Sequence, residues 1–453
     1  MHKRVTIMPD NNQLANQLLS ILYDRPLPAR KLRQLLGDIS PATLSRLTRR
    51  LGTKIISFGQ ARASTYARPR DVRGIGQQLP VYCIDGQGNA HCAGTLWSLQ
   101  GGWWWSGSVW PSGYYAHLPW FVQDLKPDGF VGHAFARRFS TELGLAERLS
   151  SWKDDDILVA LARRGDDTVG DVIVGEESLA RYLSASRLQP VTNTPADYPR
   201  LAEEALAGDP AGSSAGGEQP KFTVLTEREG SPVRVLVKFS PLLTTPIGQR
   251  WSDLLVCEHI ALTLAGEMGI SAASSTVHHV GNRTFLEVDR FDRTGLFGRS
   301  PVNSLTVVDA EFIGVGSNWS AAAQKLRLAK LLSPEDTAHL ATLDLFGSLI
   351  ANTDRHHGNI SLIPTNEERT GFKLSPVYDM LPMYYRPRDG EELPSGTYQS
   401  ASIGPLDSTY EYAKRFWVVA GNDPRISEPF RVLCTANHDV LEKMARGPRI
   451  VGS

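Results

Sequence analysis

One ten-residue stretch combines side chains that can do acid–base and metal chemistry. The stretch "ANTDRHHGNI" holds an acid, two imidazoles and an amide between Asp354 and Asn359. A carboxylate can accept a proton, and an amide oxygen can hold a hard cation such as Mg²⁺. Asp354 and Asn359 are five positions apart, the separation of base and metal-holding amide in one class of phosphoryl-transfer loop. The pattern also allows a transition-metal site on Asp354, His356 and His357, or a solvated loop.

An upstream segment favours the phosphoryl-transfer interpretation. The run "SSAGGEQPKFTVLTEREGSPVRVLVKFSP" predicts a Ser-Gly-rich loop, a strand, a turn at Glu229-Gly230 and a second strand ending at Lys238. Since alternate strand residues share one face, Lys238 projects away from the valines, where its ammonium could reach phosphate oxygens. A glycine loop followed by a strand lysine is how protein kinases cover and clamp ATP. The run lacks GxxxxGK[ST], which disfavours a P-loop NTPase.

Three further elements fit the same chemistry. The helix "WSDLLVCEHIALTLAGEMGI" carries Glu258, which either pairs with Lys238 or is an exposed helix charge. The strand "RTFLEVDRFDR" lies where a hinge between two lobes would contact an adenine. Twenty residues after Asn359, "SPVYDM" supplies a second acid, Asp379. One carboxylate and one amide oxygen, completed by phosphates and water, form a plausible Mg²⁺ set.

Composition indicates a soluble protein of several domains. The chain has 453 residues, of which 41% are hydrophobic and 21% charged, enough for two to four domains. It contains no apolar run of about 18 residues and no signal-peptide core, so we expect a cytoplasmic protein with no membrane segment. Four cysteines without a CxxC pair indicate neither a zinc knuckle nor a disulfide framework.

Residues 1–75 form a basic unit of their own. They carry fourteen Lys and Arg against four Asp and no Glu, a difference of +10, which leaves −10 for the rest of the neutral chain. Leucine spacing predicts three short helices, and the third opens with a Ser40 cap and Pro41 in its first turn. The following "KIISFGQARASTYARPR" predicts a two-stranded wing, so we expect a winged helix-turn-helix.

The third helix predicts a DNA contact. Arg46, Arg49 and Arg50 fall opposite its leucine stripe, and arginines on a recognition helix suit phosphates and guanine edges. The alternatives are a small basic domain without a nucleic-acid partner, or a tail that docks on the acidic remainder as a built-in inhibitor. Residues 76–190 predict a separate α+β domain, whose "GGWWWSGSVW" is expected to be core or a docking surface rather than a base-stacking platform.

Taken together, the motifs resemble a known family. "SSAGGEQPK", "VLVKF", "VDRFDR", "NTDRHHGN" and "VYDM", in this order and spacing, resemble the HipA family of bacterial serine/threonine-protein kinase toxins over roughly residues 75 to 445. The basic extension is similar to that of the longer YjjJ (HipH) type. The resemblance implies an α+β, two-lobed HipA-like kinase fold with an N-terminal winged helix-turn-helix. Its parts would be residues 1–75, a HipA-like subdomain at 76–190 and the kinase domain at 191–453.

The resemblance also implies roles for individual residues. Asp354 would be the base, with Asn359 and Asp379 completing the catalytic set and holding Mg²⁺. The nucleotide site would comprise the glycine loop, the strand lysine, the hinge and residues of the last two motifs, which are Gly216, Gly217, Glu218, Gln219, Pro220, Lys221, Lys238, Asp289, Arg290, Phe291, His356, His357, Gly358, Asn359, Tyr378 and Asp379. Ser214, or its neighbour Ser213, would be phosphorylated by the kinase itself, which ejects the loop and stops activity.

The resemblance predicts a growth-inhibiting toxin of a type II toxin-antitoxin system that uses ATP and Mg²⁺. Its substrate would be a protein, such as a translation factor or an aminoacyl-tRNA synthetase, and a helix-turn-helix antitoxin would be a further partner. This chain departs from the family pattern because it carries a DNA-binding unit of its own, which puts the separate antitoxin and the toxicity in doubt. The alternative function is a DNA-binding transcriptional regulator whose kinase-like part only senses nucleotide.

Overall fold

The computed structural model describes residues 11–60, 63–186, 191–207, 219–388, 392–400 and 408–445. Five predicted site residues lie outside these ranges, namely Ser213, Ser214, Gly216, Gly217 and Glu218. The described chain contains a small N-terminal unit, a middle part built on an antiparallel sheet, and a C-terminal part with a second sheet and a helical lobe.

The N-terminal unit consists of three helices and a small antiparallel sheet with strand order β1-β3-β2. Its elements are α1 (Asn11–Ile21), β1 (Leu27–Pro28), α2 (Ala29–Leu35), α3 (Pro41–Leu51), β2 (Ile56–Phe58) and β3 (Thr65–Ala67). The leucine stripes pack together in a core separate from the rest of the chain, with Leu18, Leu32 and Leu44 at most 2% exposed. The predicted cap of α3 is present, because the Thr43 amide donates to Ser40 Oγ at 3.1 Å.

The middle part is a five-stranded antiparallel sheet of order β7-β6-β5-β4-β8, covered by helices. Its elements are β4 (Gln78–Ile84), β5 (Ala90–Leu99), β6 (Gly102–Gly107), β7 (Gly113–Tyr115), α4 (Trp120–Gln123), α5 (Gly129–Leu143), α6 (Asp154–Arg164), β8 (Val172–Val174) and α7 (Glu176–Ala185). Trp103, Trp105 and Trp110 are buried in its core, and the Trp110 ring stacks on Phe121 with centroids 3.9 Å apart. These tryptophans are therefore structural.

Trp104, by contrast, forms a docking contact for the N-terminal unit. Phe58 at the end of β2 stacks on its ring, with centroids 4.3 Å apart and planes within 6°. Close by, the left-handed Gly101 approaches the N-terminal unit so tightly that a Cβ there would lie 1.8 Å from the Asp24 carbonyl oxygen. The connecting segment is held as well, because Arg70 donates to both carboxylate oxygens of Asp155. The wing hairpin thus packs on the middle part.

The second sheet has the order β11-β12-β10-β9 and is antiparallel throughout. It is built from β9 (Lys221–Arg228), β10 (Ser231–Phe239), β11 (Ser275–Val280) and β12 (Arg283–Asp289), with α8 (Tyr198–Ala207) and α9 (Pro246–Glu267) packed against it. Val235 and Val237 pack with Tyr198 in one buried cluster. Lys238 points to the opposite face and meets α9, as strand alternation predicts.

The helical lobe follows. Its elements are β13 (Arg293–Thr294), β14 (Gly298–Arg299), β15 (Asn303–Ser304), α10 (Leu305–Phe312), α11 (Trp319–Leu328), α12 (Pro334–Leu349), β16 (Ser361–Pro364), β17 (Phe372–Leu374), α13 (Ser408–Asn422) and α14 (Glu428–Ala445). Leu343, Phe346 and Ile350 are fully buried, so α12 is anchored where it leads into the loop that carries Asp354. None of the described helices is both long and apolar enough to span a membrane.

Ion pairs join the middle part to the C-terminal part. Arg369, in the connection between β16 and β17, donates from both terminal nitrogens to the carboxylate of Asp171, which is 3% exposed. The buried Asp292 accepts from Arg290 and Arg293 at 2.8 and 2.6 Å, and also from the Gly170 amide. Because these groups are removed from water and paired, the two parts are held in a defined relative position.

Candidate active site

A cavity of about 330 Å³ lies between the second sheet and the loop after α12 that carries Asp354. Seven of the residues predicted from the sequence line it, and these are Gln219, Lys221, Lys238, Asp354, His356, Asn359 and Asp379. They come from β9 and the residues just before it, from β10, from the loop after α12 and from the segment after β17. The structure thus gathers side chains that are separated by up to 160 positions in the sequence.

Lys238 is the centre of a buried charge cluster in this cavity. Its ammonium donates to Glu258 Oε1 and Oε2 at 2.7 and 2.9 Å, and also to Asp379 Oδ1. Lys238 is 4% exposed and Glu258 is fully buried. Of the two roles that the sequence allowed for Glu258, the structure shows the ion pair with Lys238. The Asp379 amide also donates to Glu258 Oε1 at 3.2 Å, which fixes the backbone of Asp379 in its left-handed conformation at φ 59°.

The pKa values in this cluster follow from burial and from mutual attraction. Burial disfavours the charged form of Lys238, but Asp379 and Glu258 outweigh burial and raise the pKa of the amine. Burial raises the pKa of the Glu258 carboxyl, although Lys238 opposes this shift. For Asp379, the attraction of Lys238 and Lys221 outweighs burial and lowers the pKa. Lys238 and Asp379 are therefore both charged at neutral pH.

The loop that carries Asp354 is shaped by hydrogen bonds within the "NTDRHHGN" motif. The Asp354 amide donates to Asn352 Oδ1 at 3.0 Å, and Asn359 Nδ2 donates to the Asp354 carbonyl oxygen at 2.8 Å. The second bond uses the nitrogen of the Asn359 amide and leaves the oxygen as the atom suited to a cation. Ala351, at φ 63°, turns the chain sharply out of α12 into this loop. The Asp354 side chain is 47% exposed, so a substrate hydroxyl can approach it.

The two histidines of the loop point in different directions. His356 lines the cavity, and its Nε2 lies 4.0 Å from Asp354 Oδ1. His357 is nearly buried and its Nδ1 lies 3.7 Å from Asp309 Oδ2 on α10. The transition-metal alternative needed Asp354, His356 and His357 together, and the structure separates them. Within the described ranges no three His, Cys, Asp or Glu side chains are arranged to hold a metal ion.

The remaining predicted nucleotide residues have partners away from the described cavity wall. Asp289 pairs with Arg228 at 2.6 Å, and Arg290 pairs with Asp292. The Phe291 ring lies 5.8 Å from that of Tyr378, whose hydroxyl donates to the Gly358 carbonyl oxygen at 3.2 Å. Pro220 precedes β9, and its carbonyl oxygen accepts from the Phe239 amide. A direct contact of these residues, or of His357, with a nucleotide stays a prediction.

The donor set fits a magnesium nucleotide. Asp379 and Asn359 offer a carboxylate and an amide oxygen, the hard ligands that Mg²⁺ prefers, and both line the cavity. Phosphates and water supply further ligands in such sites, so no third protein carboxylate is required. Lys238 and Lys221 on the adjoining strands provide positive charge for phosphate oxygens. The fit rests on the chemistry of these side chains.

Sequence reasoning missed half of the cavity wall. Asp128, Gly129 and Phe130 reach it from the start of α5, and Trp251 reaches it from α9. A further group comes from the segment just after Asp379, consisting of Leu381, Met383 and Arg386.

Two larger cavities, of about 770 and 570 Å³, lie around α5 and α4 and contain none of the predicted catalytic residues.

The arginines predicted to contact DNA lie on the surface of the N-terminal unit. Arg46, Arg49 and Arg50 are exposed, whereas Leu44 and Leu47 on the other side of α3 are buried. Arg50 Nη2 donates to Asn12 Oδ1 on α1 at 2.7 Å, and Arg46 Nη2 makes a long bond of 3.4 Å to Thr43 Oγ1. The geometry presents a basic helix face to solvent.

Comparisons with known proteins agree on one family. Residues 75–183 match the family described as YjjJ-like toxin, middle domain, and residues 213–434 match the HipA-like C-terminal domain. Toxin YjjJ of Escherichia coli (strain K12) is 38% identical over 446 residues, which cover 95% of this chain and 99% of that protein. HipA in the Shewanella oneidensis MR-1 complex of HipA, HipB and operator DNA superimposes with a TM-score of 0.52 at 17% identity, covering 80% of this chain and 95% of that one. This structural likeness shows a shared HipA-like fold.

Proposed function

Because the chain belongs to the YjjJ toxin family, we propose that it is a growth-inhibiting toxin that acts as an ATP-dependent serine/threonine-protein kinase of the HipA type. One observation carries this proposal. The buried pair of Lys238 and Glu258 shares one cavity with two aspartates, Asp354 and Asp379, and with the amide of Asn359. A toxin without phosphotransfer would not need this combination of charges.

In the proposed reaction each side chain has one task. Asp354 accepts the proton of the substrate hydroxyl, since its carboxylate is accessible and its backbone is fixed by Asn352. Lys238, positioned by Glu258, binds phosphate oxygens of ATP. Asn359 and Asp379 hold Mg²⁺, which when bound neutralises charge on the phosphates.

The partners follow from the same premise. We propose that the substrate is a protein with an accessible serine or threonine, such as a translation factor or an aminoacyl-tRNA synthetase, and that the kinase also modifies Ser214 or Ser213. The HipA protein of similar fold is found in a complex with HipB and operator DNA. This supports DNA as a partner and a helix-turn-helix antitoxin as a second one, in a cytoplasmic toxin-antitoxin system of type II.

A phosphotransfer assay with radiolabelled ATP tests the kinase proposal. The wild-type chain should label itself, and Asp354→Gln should lower the rate by about 10²- to 10⁴-fold, the usual effect of losing a general base. Asp439→Gln, an equal change at an exposed position of α14, is the matched control and should keep full activity. Nucleotide binding without any phosphotransfer would favour the alternative, a regulator that senses nucleotide.

A second proposed function is DNA binding by the N-terminal unit, which we assign as a winged helix-turn-helix. It is supported by the exposed arginine face of α3 and the net charge of +10 in residues 1–75. A fragment of these residues, whose core is separate from the rest, should retard duplex DNA, and its affinity should fall steeply with salt because phosphate contacts release counterions.

Two variants of the full chain decide between a DNA tether and a docked inhibitor. Replacing Arg46, Arg49 and Arg50 together by Ala should abolish most DNA binding and leave kinase activity intact. Removing three positive charges from the helical lobe, at Lys325, Arg327 and Lys373, is the matched control. Deleting residues 1–75 should leave the kinase rate unchanged if the unit is a tether. A rise in rate on deletion, with no DNA shift at low salt, would identify a built-in inhibitor.

A further inference from the structure

We propose that Arg386 is a catalytic residue that binds the phosphoryl group during its transfer. This inference rests on the proposed kinase function and extends it to a residue outside the recognised motifs. Arg386 lines the cavity together with Asp354 and Asn359 and is exposed. Within the described parts of the chain, its guanidinium makes no hydrogen bond and no ion pair. A cation that shares the cavity wall with Asp354 and has no side-chain partner among the described residues is available for an anionic substrate.

The backbone of Arg386 is held rigidly against the catalytic loop. The preceding turn, Met383–Tyr385, donates from the Tyr384 amide to the carbonyl oxygen of Ala351, three residues before Asp354. Tyr385 is fully buried, and its hydroxyl donates to the Gly396 carbonyl oxygen at 3.0 Å and accepts from Asn437 Nδ2 at 2.6 Å.

The same turn is fixed from a third direction by α9. Arg250, which is 7% exposed, donates from Nη1 to the carbonyl oxygen of Tyr385 at 3.0 Å. The next residue, Arg386, completes the turn by donating its amide to the Met383 carbonyl oxygen at 3.1 Å. A long side chain that starts from so constrained a backbone has a restricted reach, which is what a preorganised catalytic cation needs.

The charge distribution of the cavity leaves a task for a further cation beside Lys238 and Lys221. Lys238 is committed to Glu258 and Asp379 at the buried end, where its side chain is 5% exposed. Asp354, with a side chain 47% exposed, and the exposed Arg386 are by contrast open to solvent, from which the substrate hydroxyl must arrive. During transfer, negative charge spreads over the three equatorial oxygens of the phosphoryl group. The planar guanidinium fork matches two such oxygens at once.

The step balances with the residues named. The substrate oxygen forms a bond to the γ-phosphorus, and its proton passes to the Asp354 carboxylate. The bond between the γ-phosphorus and the β–γ bridging oxygen breaks, and its electron pair leaves with ADP. Arg386 forms hydrogen bonds to two equatorial oxygens throughout and is neither protonated nor deprotonated, since its charge is permanent.

The test compares Arg386→Met with Arg388→Met. Arg388 is two positions further on and also exposed, but it lies 3.6 Å from Glu392 and is outside the described cavity wall. At saturating ATP, Arg386→Met should lower the self-phosphorylation rate by at least about 10²-fold, as loss of a transition-state donor does. Arg388→Met should retain the wild-type rate, and Arg386→Lys should recover only part, because an ammonium cannot form the fork.

A binding measurement separates catalysis from a structural role. Mg-ADP with aluminium fluoride imitates the phosphoryl group in transfer, and transition-state mimics bind through the groups that stabilise that state. By isothermal titration, Arg386→Met should weaken binding of this mimic by at least about tenfold while the affinity for Mg-ADP alone stays within about twofold of wild type.

Each other outcome has a defined meaning. If Arg386→Met transfers phosphate and binds the mimic like the wild type, Arg386 is not catalytic and this inference is wrong, although the kinase proposal stands. If only the KM for a protein substrate rises, the guanidinium binds that protein and not the phosphoryl group. If the wild-type chain itself transfers no phosphate, both the kinase proposal and this inference are overturned.

Discussion

The buried pair of Lys238 and Glu258 allows a stability prediction that is independent of any enzymatic assay. Replacing Lys238 by Met keeps a similar volume but removes the cation that two carboxylates share. Glu258 is fully buried and would then face the Asp379 carboxylate without compensation. Removing one partner of a buried ion pair costs about 3–5 kcal/mol, because the remaining charge is desolvated and unpaired. We expect the free energy of unfolding of the second sheet and α9 to fall by an amount in this range.

The loss should depend on the charge of Glu258. In the Lys238→Met and Glu258→Gln double variant the fully buried pair is gone and only the partly exposed Asp379 carboxylate of the cluster remains, and replacing a whole buried pair is often close to neutral. The double variant should therefore be at least about 2 kcal/mol more stable than Lys238→Met alone.

The pH dependence follows with a definite sign. Burial already raises the pKa of Glu258, and removing Lys238 raises it further. A carboxyl whose pKa is higher in the folded state binds more protons there, so it destabilises the fold as pH rises through that pKa. The cost of Lys238→Met should consequently grow as pH rises above the ordinary glutamate pKa of 4.5 towards the raised pKa of Glu258, and level off beyond it.

Hydrogen exchange resolved to β10 and α9 is the suitable assay, because a chain with separate cores does not unfold in a single step. Peptides from β10 and α9 should exchange faster in Lys238→Met by the factor that corresponds to the predicted free energy, about 10² to 10⁴. Lys373→Met, an exposed lysine on β17, should not change their exchange. Equal losses in the single and double variants, or a cost independent of pH, would refute the role assigned to the buried charge.

Three further predictions concern the metal, the glycine loop and the junction between the parts. Asp379→Asn should weaken ATP binding in the presence of Mg²⁺ but not in its absence, and unchanged metal dependence in isothermal titration would remove Asp379 from the metal site. Active protein incubated with Mg-ATP should gain about 80 Da per phosphate at Ser214 or Ser213 by peptide mass mapping, whereas an unmodified loop would show that self-inhibition is absent. Burial disfavours the charged form of Asp292, but two neighbouring arginines outweigh it and lower its pKa from the usual 3.8 to about 2, so the fold should lose about 2 kcal/mol as pH falls from 4 to 2. Asp292→Asn should be less stable at pH 7 in thermal unfolding and should lack this acid-dependent loss.

Local patterns were sufficient to predict the elements that carry the site. The HipA-like fold inferred from five motifs is confirmed by the family matches and by the structural likeness. Strand alternation placed Lys238 on the face opposite the valines, and the structure shows it there. The cap of α3 by Ser40 and the buried stripe of α12 were likewise predictable, because capping and helical periodicity act over a few neighbouring residues.

Features that depend on contacts distant in sequence could not be predicted in this way. The start of α5 reaches the cavity from more than 200 positions before Asp354, and no local pattern at Asp128 or Phe130 indicates that neighbour. The direction of His357 is set by Asp309 on α10, a contact across 48 positions. Arg386 belongs to no motif, and the turn before it is anchored to Ala351 by a contact across more than thirty positions that no local pattern indicates.

The docking of the N-terminal unit bears on how the proposed DNA contact and the proposed kinase could coexist in one chain. The unit is attached through Phe58 on Trp104, through Asp24 against Gly101 and through Arg70 on Asp155. None of the described residues of the N-terminal unit is among those that line the cavity around Asp354. Since Phe58 of the wing is stacked on the middle part, the exposed arginine face of α3 is the surface that we expect to meet DNA in the proposed complex. If the chain is the proposed kinase and the unit binds DNA, a unit that is fixed to the body and contributes no described residue to the cavity wall would position the kinase on DNA without occupying that wall, which favours the tether over the built-in inhibitor.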